Sequence, residues 1–457
     1  MEKMSIGEII EVVDGSLLSG NLDDTISYVS TSSRDIKEET LFVPIKGEKV
    51  DAHDFIKDAF KNGAKATFTE REKCAPNGQN CILVNNSREA FQKLAAYYRK
   101  KFNIPVIGVT GSVGKTTTKE MIASALSVKF SVMKTEANYN SQIGLPHTMF
   151  NMSPNHDIAV IEMGISEFGE MERLAKIAAP HHAVITNIGI SHIENLKTQE
   201  NICKEKLHIT ACFDDDSVLF LNGNDPILSA LKDKLNVKVI YFGTEKFCDY
   251  RAEDIENDGE NTSFTLVCPI GTDRIVIPTI GLHNVVNALA AIAVSANEGL
   301  TIQEIKTGLS EYRSISMRQQ IHHINDVIIV DDSYNASPAS MKGAINVLSE
   351  IRSNGNSIVV LADMLELGER AKQAHCEVGK YAAKNGVSIV VTVGELAKEI
   401  ANGAKSINQD IITKVCSSNE EAEKFLERTI KPDDKVLVKG SRGMHTDEIV
   451  RFLVNKV

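Results

Sequence analysis

The stretch Ile107-Gly-Val-Thr-Gly-Ser-Val-Gly-Lys-Thr-Thr117 brings glycines 108, 111 and 114 up against a lysine and two threonines. Backbone N–H groups of such a turn can cradle phosphates, and the dipole of a following helix adds to their pull. Lys115 can reach terminal phosphates and the Thr116 hydroxyl can hold Mg²⁺. Gly111, Ser112, Val113, Gly114, Lys115, Thr116 and Thr117 are therefore the candidate nucleotide cradle. The spacing departs from the strict G-x-x-x-x-G-K-[ST] form, because position 109 is Val and the first glycine is Gly108. A turn that only links strand to helix is the competing account, but the strand VIGVT before it and the helix KEMIASALSV after it favour phosphate binding.

Five further groups could do chemistry beside that loop. Glu162 ends the apolar run IAVIEMG, where a carboxylate at the carboxyl edge of a parallel sheet suits a hard cation. Taken alone it is equally an N-terminal helix charge. His192 follows AVITNIGIS at the end of the next run, and a lone histidine is more often a structural hydrogen-bonder. Lys206, in ENICKEKLH with Lys204 nearby, reads without context as part of a solvated helix face. Asn284 and Asn287 stand three apart at a helix start, able to cap it or to read an adenine edge, with capping the plainer account for Asn284. Asp331-Asp-Ser-Tyr-Asn-Ala-Ser-Pro338 ends the strand VIIV and forms a polar rim that also reads as a Ser/Pro helix start.

The elements that must position these groups are those of an α/β protein with three domains. Residues 1–102 alternate short strands (LFVPI, KATFT, CILV) with helical patterns and form a small α/β domain. Residues 103–314 carry the buried-strand runs VIGVT, IAVIEMG, AVITNIG, VLFLN and VKVIYFG, a central P-loop domain with a mostly parallel sheet. Its later part, around Gly271, predicts an appended hairpin from SFTLVCP and RIVIPTI. Residues 315–457 restart the alternation with VIIVDD, SIVVLAD, SIVVTVG and KVLVKGS, a Rossmann-like α/β domain.

Composition narrows the setting. In 457 residues, 42% are hydrophobic and 24% charged, the balance of a globular chain. The net charge of −11, without a long single-sign block, argues against nucleic acid as the partner. Eight cysteines form no C-x-x-C pair, so most are expected to be buried thiols of a reduced protein. The amino terminus has no signal-like apolar core, and the most apolar helix, 287–296, is about half the ~20 residues that span a bilayer. The expected setting is cytoplasmic, without membrane insertion.

Together TGSVGKTTT, IEMG, SHIEN, KEKLHI, GLHNVVNALAA, MRQQ, DDSYNASP, ADMLELGE and VKGSRG occur in an order that resembles the Mur ligase family from about residue 31 to 447. DDSYNASP and DMLELGE are most similar to the members that add D-alanyl-D-alanine, and the D-N-P-R signature of the sibling adding the third residue is absent. The resemblance implies an ATP- and Mg²⁺-dependent ligase of cytoplasmic peptidoglycan precursor synthesis, acting as a monomer. ATP would phosphorylate the terminal carboxylate of UDP-N-acetylmuramoyl-tripeptide (UDP-MurNAc-tripeptide), and the amine of D-alanyl-D-alanine would displace phosphate.

The resemblance also implies roles, residue by residue. Lys115 would stabilise the transferring phosphoryl group; Thr116 and Glu162 would hold one magnesium ion, and His192 would help a second. Lys206 would become a carbamate by reaction with carbon dioxide and support that second ion. Asn287 would meet adenine, Arg318 the nucleotide phosphates and Asp332 the ribose region. Tyr334, Asn335 and Ser337 would lie between nucleotide and dipeptide, with Asn138 and Asn140 among the substrate contacts. Ser33, Arg34, Lys46 and Gly47 would hold the UDP group. His208, Ser141-Gln142 and Ala362 depart from the family pattern. The alternatives are a sibling ligase with another amino acid substrate, or a nucleotide-binding regulator without turnover.

Overall fold

A computed structural model describes residues 1–72 and 78–456 of the chain. Three large sheets organise it, with a two-stranded antiparallel pair of Met4–Ser5 and Thr25–Ile26 besides. In the first, Ser16–Ser19, Asn80–Leu83, Ala66–Thr69, Thr40–Phe42 and Tyr28–Ser30 lie in that order, parallel except for the antiparallel first pair. The second has nine strands, the third six.

The nine-stranded sheet positions the phosphate loop. Val106–Thr110 lies between Ile158–Glu162 and His182–Ile185, and all three run parallel. Their apolar residues are buried on both faces, which is why they read as unbroken hydrophobic runs. Because the three strands point the same way, the loops at their carboxyl ends converge, the usual ligand crevice of a parallel sheet. Helix Lys115–Leu126 starts there and packs against helix Leu282–Asn297.

The sheet extends further than the sequence indicates. Thr262–Cys268 and Gly271–Ile277 do form the hairpin expected around Gly271, but they join the central sheet through Tyr250–Asn257 instead of standing apart. That strand, YRAEDIEN, was hidden because its outer half is exposed and charged. The edge strands Gln320–Ile324 and Ile412–Cys416 of the third sheet escaped for the same reason: each is largely half-exposed and carries polar side chains. Short Val132–Lys134 closes the opposite edge of the central sheet.

One apolar core runs from Met4, Phe91 and Tyr98 of the first hundred residues into Leu145, Leu174 and Leu219 of the central region. Helix Ser87–Lys100 forms the seam. Phe91 meets Phe150 with ring centroids 5.8 Å apart, and the Tyr98 hydroxyl donates to the Met152 carbonyl at 2.9 Å. Buried Arg99 donates to the carbonyls of Ala178, Phe102 and Ile104. Residues from 327 onward form two further cores on the two faces of the six-stranded sheet, one of which also takes in Ile280 and touches Ile190 of the central region.

Of the seven cysteines among the described residues, Cys81, Cys203, Cys248 and Cys416 are buried; Cys74 lies outside the described residues. No helix among the described residues is long and apolar enough to cross a membrane.

In the third sheet's flanking layer, helices Ala371–Lys384 and Lys398–Ile407 cross so closely that a Cβ on Gly379 would overlap the Ile400 carbonyl oxygen. Gly379→Ala therefore forces the pair apart and is expected to cost about 1–3 kcal/mol of stability. Denaturant unfolding measures it; an unchanged midpoint would show that the backbones do not meet there.

Candidate active site

The loop after Val106–Thr110 is shaped by contacts that exclude larger residues. Gly111 and Gly114 have φ of 150° and 85°. A Cβ on Gly111 would overlap the Thr186 hydroxyl, and one on Gly114 would sit 2.9 Å from Asn287 Oδ1. Asn187 holds the loop open: its Oδ1 accepts from Val113 N at 2.9 Å and its Nδ2 donates to the Val113 carbonyl at 2.9 Å. Thr186 Oγ1 donates to that carbonyl as well, at 2.6 Å, and Ser112 Oγ accepts from Gly189 N at 2.8 Å. Thr186 and Asn187 stand in AVITNIG, whose apolar run marks only a strand leading to His192. An amide immediately after a strand beside a glycine loop is the signal that could have found them.

A cavity of about 490 Å³ opens on this loop. It brings together Gly111 through Thr117, Asn138, Asn140, Glu162, His192, Lys206 and Asn287 with Arg318, Asp332, Tyr334, Asn335 and Ser337 from beyond residue 315. Ser33, Arg34, Lys46 and Gly47 do not line it; they lie on loops of the first domain, where Arg34, Lys46 and Gly47 are exposed.

Charge at the floor of the cavity is deeply buried. Glu162 is 2% exposed; its Oε1 accepts from Asn140 Nδ2 at 2.7 Å, while its buried Oε2 has no partner. Lys115 donates to the Gly111 carbonyl at 2.9 Å. Burial pushes its ammonium below the ordinary lysine range; Glu162 opposes that shift and Arg318 adds to it. Lys206 is 3% exposed, which corrects its reading as part of a solvated face. Burial first, then the charge of Lys115, hold its ammonium well below the usual range, against the opposing pull of Glu205. Such an amine is more readily deprotonated and hence more nucleophilic.

The asparagine pair departs from the capping account. Gly281 is the N-cap of Leu282–Asn297, and no side chain caps it. Asn284, already inside the helix, turns its amide back to Thr279 Oγ1, the Ile280 carbonyl and Gln319 Oε1 at 3.0, 2.9 and 2.7 Å. Asn287 Oδ1 accepts from Thr118 Oγ1 at 3.1 Å, so Asn287 braces the first turn of the phosphate-loop helix.

The third domain closes the cavity roof. The Arg318 guanidinium lies 4.1 Å from the Tyr334 ring centre, in a segment where Met317 and Gln319 have φ of 66° and 50°. Buried Lys439, in the VKGSRG stretch, pairs with Asp332 Oδ2 at 2.5 Å and also donates to the Asn335 carbonyl at 2.9 Å. Ser337 caps Pro338–Glu350 in a reciprocal pair with Ser340, as a Ser/Pro helix start requires. His192 Nδ1 lies 2.8 Å from Glu366 Oε2. That contact, first by its hydrogen bond, holds the Glu366 carboxyl below the usual range.

Of the departing positions, Gln142 links Gln92 of the first domain with Arg173 and the Glu170 carbonyl, and Ser141 lines the cavity. His208 is exposed, 3.6 Å from Glu205. Ala362 is buried at the end of Ser357–Ala362.

Comparison with known proteins covers all three regions. The models of the Mur ligase family catalytic domain, the Mur ligase middle domain and the Mur ligase glutamate ligase domain match residues 25–106, 109–295 and 317–442. The UDP-N-acetylmuramoyl-tripeptide--D-alanyl-D-alanine ligase of Bacillus subtilis (strain 168) is 37% identical, over 99% of each chain. Its counterpart from Escherichia coli (strain K12) is 31% identical, again over 99% of each. A crystal structure of MurF from Acinetobacter baumannii superposes with a TM-score of 0.93 at 29% identity, covering 100% of both chains. The Thermotoga maritima MurF ligase in complex with ADP gives 0.83 at 29% identity, over 94% of this chain and 97% of that one.

Asn187→Ala leaves the Val113 N–H without its partner and the Val113 carbonyl with Thr186 Oγ1 alone, a loss of about 1–3 kcal/mol, and is expected to weaken nucleotide binding roughly 5- to 150-fold. Calorimetric titration reads it, and unchanged affinity would remove Asn187 from the loop's support. Because the folded state gives up the Lys206 proton more readily than the unfolded chain, it binds fewer protons below pH 10.5. Lys206 therefore adds stability as pH rises toward 10.5. Lys206→Met should flatten that rise in pH-dependent unfolding; a slope identical to wild type would contradict the burial argument.

Proposed function

The chain belongs to the Mur ligase family, and we propose from that membership that it joins D-alanyl-D-alanine to UDP-MurNAc-tripeptide at the expense of ATP. The reaction belongs to peptidoglycan precursor synthesis. The observation that carries this reading is full-length similarity to ligases of that name, together with a cavity whose lining lysines, Lys115 and Lys206, suit phosphoryl transfer to a carboxylate.

The division of labour follows the sheets. Residues 1–102 bind the UDP group, with Ser33, Arg34, Lys46 and Gly47 as the contacts. Residues 103–314 bind and cleave ATP, and residues 315–457 complete the nucleotide site and receive the dipeptide. One copy of the chain supplies all of these groups, so a monomer suffices.

The terminal carboxylate oxygen of the tripeptide attacks the γ-phosphorus of ATP, the bond to the bridging oxygen breaks and ADP leaves. The amine of D-alanyl-D-alanine then attacks the acyl carbon, inorganic phosphate departs and the nitrogen loses a proton. Transfer of this kind brings several negative charges together and depends on cations more than on covalent help. Lys115 answers the charge on the transferring group from within the loop, and Arg318 approaches from the third domain.

The residues present suit magnesium. Glu162 brings a buried, unpartnered carboxylate oxygen to the cavity that Thr116 also lines. A hard cation would then be shared between Glu162, Thr116 and phosphate oxygens, with His192 and a modified Lys206 toward the acyl group. When bound, it neutralises phosphate charge and polarises the phosphorus. The depressed basicity of Lys206 fits attack of its neutral amine nitrogen on carbon dioxide: the C–N bond forms, the nitrogen gives up one proton, and a neutral buried amine becomes a carbamate anion.

Incubation with UDP-MurNAc-tripeptide, ATP and D-alanyl-D-alanine should yield a product whose mass is the sum of the two substrates less one water. ADP release with a different amino acid, and none with the dipeptide, would overturn the assignment. Lys206→Ala should nearly abolish ligation and regain part of it with added short carboxylic acids; near-normal activity would refute the carbamate.

A further inference from the structure

The contact between His192 and Glu366 joins two regions and has no part in the chemistry above. His192 follows the strand His182–Ile185 by one loop, with φ of 60° at the start of helix Ile193–Leu196. Glu366, also left-handed at φ 61°, belongs to the Asp363-Met-Leu-Glu-Leu-Gly368 loop of the third domain. That loop is held firmly from behind. Met364 N donates to Nε2 of buried His375, whose Nδ1–H donates to the Ala371 carbonyl, and Leu365 N donates to Ser441 Oγ. Leu367 is buried in the third domain's core, against which Ile190, two residues before His192, also packs. A Cβ on Gly368 would lie 3.7 Å from the side chain of Glu194. The loop is thus seated on the short helix that His192 begins.

Glu366 is 63% exposed and His192 34%, so the pair is too wet to lock two domains together by its own strength. Its effect is directional. A carboxylate 2.8 Å from Nδ1 accepts the proton of that nitrogen and leaves the lone pair on Nε2. The ring lines the cavity, and Nε2 has no protein partner among the described residues. We infer that Glu366 is a positioning residue: it fixes the Nδ1–H tautomer and ring orientation of His192, so that Nε2 is presented to the reacting end of the cavity only when the third domain is seated.

This inference rests on the role of His192 proposed above, and the test separates the two. In unliganded protein carrying ¹⁵N-histidine, long-range ¹H–¹⁵N spectra should show His192 as the Nδ1–H tautomer. Glu366→Ala should convert it to a mixture dominated by Nε2–H, the form usual for free imidazole. Turnover should fall about 10- to 100-fold with KM for ATP nearly unchanged. Glu366→Gln, whose amide oxygen can still accept the proton, should recover most of both properties. An unchanged tautomer and kcat in Glu366→Ala, while His192→Ala is impaired, would overturn the inference and leave the function standing. Full activity of His192→Ala would instead overturn the role of His192 on which it rests. Were Glu366→Ala not to fold, the wild-type spectrum still decides, since an Nε2–H tautomer there sinks the idea.

Discussion

Burying positive charge without a matching negative is the constraint around which this molecule is arranged. Lys206 is buried beneath the cavity within the field of partly exposed Lys115, and the nearby carboxylates Glu162 and Glu205 are themselves buried and partly committed to hydrogen bonds. A protein that kept such a site only for stability would replace it with apolar side chains. The unsatisfied Glu162 oxygen and the displaced basicities describe a site whose charge balance is completed by what it binds. Everything around it serves to hold those groups still: three parallel strands converge there, Asn187 shapes the loop from one flank, and Asn140 orients Glu162 from the other.

The third domain contributes by the same logic from the opposite side. Lys439, at the cavity wall, donates to Asp332 and to the Asn335 carbonyl, so the DDSYNASP loop is clamped by a cation. Arg318 stacks on Tyr334 in a segment of unusual backbone conformations and keeps its guanidinium face defined. Positioning by fixed neighbours is cheaper at the moment of reaction than recruiting mobile charges, because the ordering has already been done during folding.

Much of this was legible in the sequence because the decisive residues sit at the ends of fully buried strands, which announce themselves as apolar runs. VIGVT, IAVIE and HAVI each hand the chain to a functional loop, so motif and element could be read together. What was not legible is of two kinds. Strands such as YRAEDIEN and QIHHI bury too little to show a hydrophobic pattern, and they entered the fold only through their neighbours. Residues such as Asn187, Lys439 and Glu366 act through partners 74, 107 and 174 positions away in the chain, as their contacts with Val113, Asp332 and His192 show. Local spacing carries no trace of such pairings. Lys206 shows the intermediate case: periodicity placed it on a helix correctly, but which side of the helix faces inward is decided by tertiary packing.

The apolar core shared across the seam at helix Ser87–Lys100 bears on how the chain comes into being. During synthesis the first hundred residues emerge before the segment near Leu145–Leu219 that covers Phe91 and Tyr98 exists. Until that segment follows, the helix carries an uncovered greasy flank, and Arg99 lacks the Ala178 carbonyl it will later grip. The third domain, with cores of its own, escapes this dependence. The vulnerable interval in the life of this protein is therefore on the ribosome, between its first and second sheets, where a chaperone's hold on that one helix would count most.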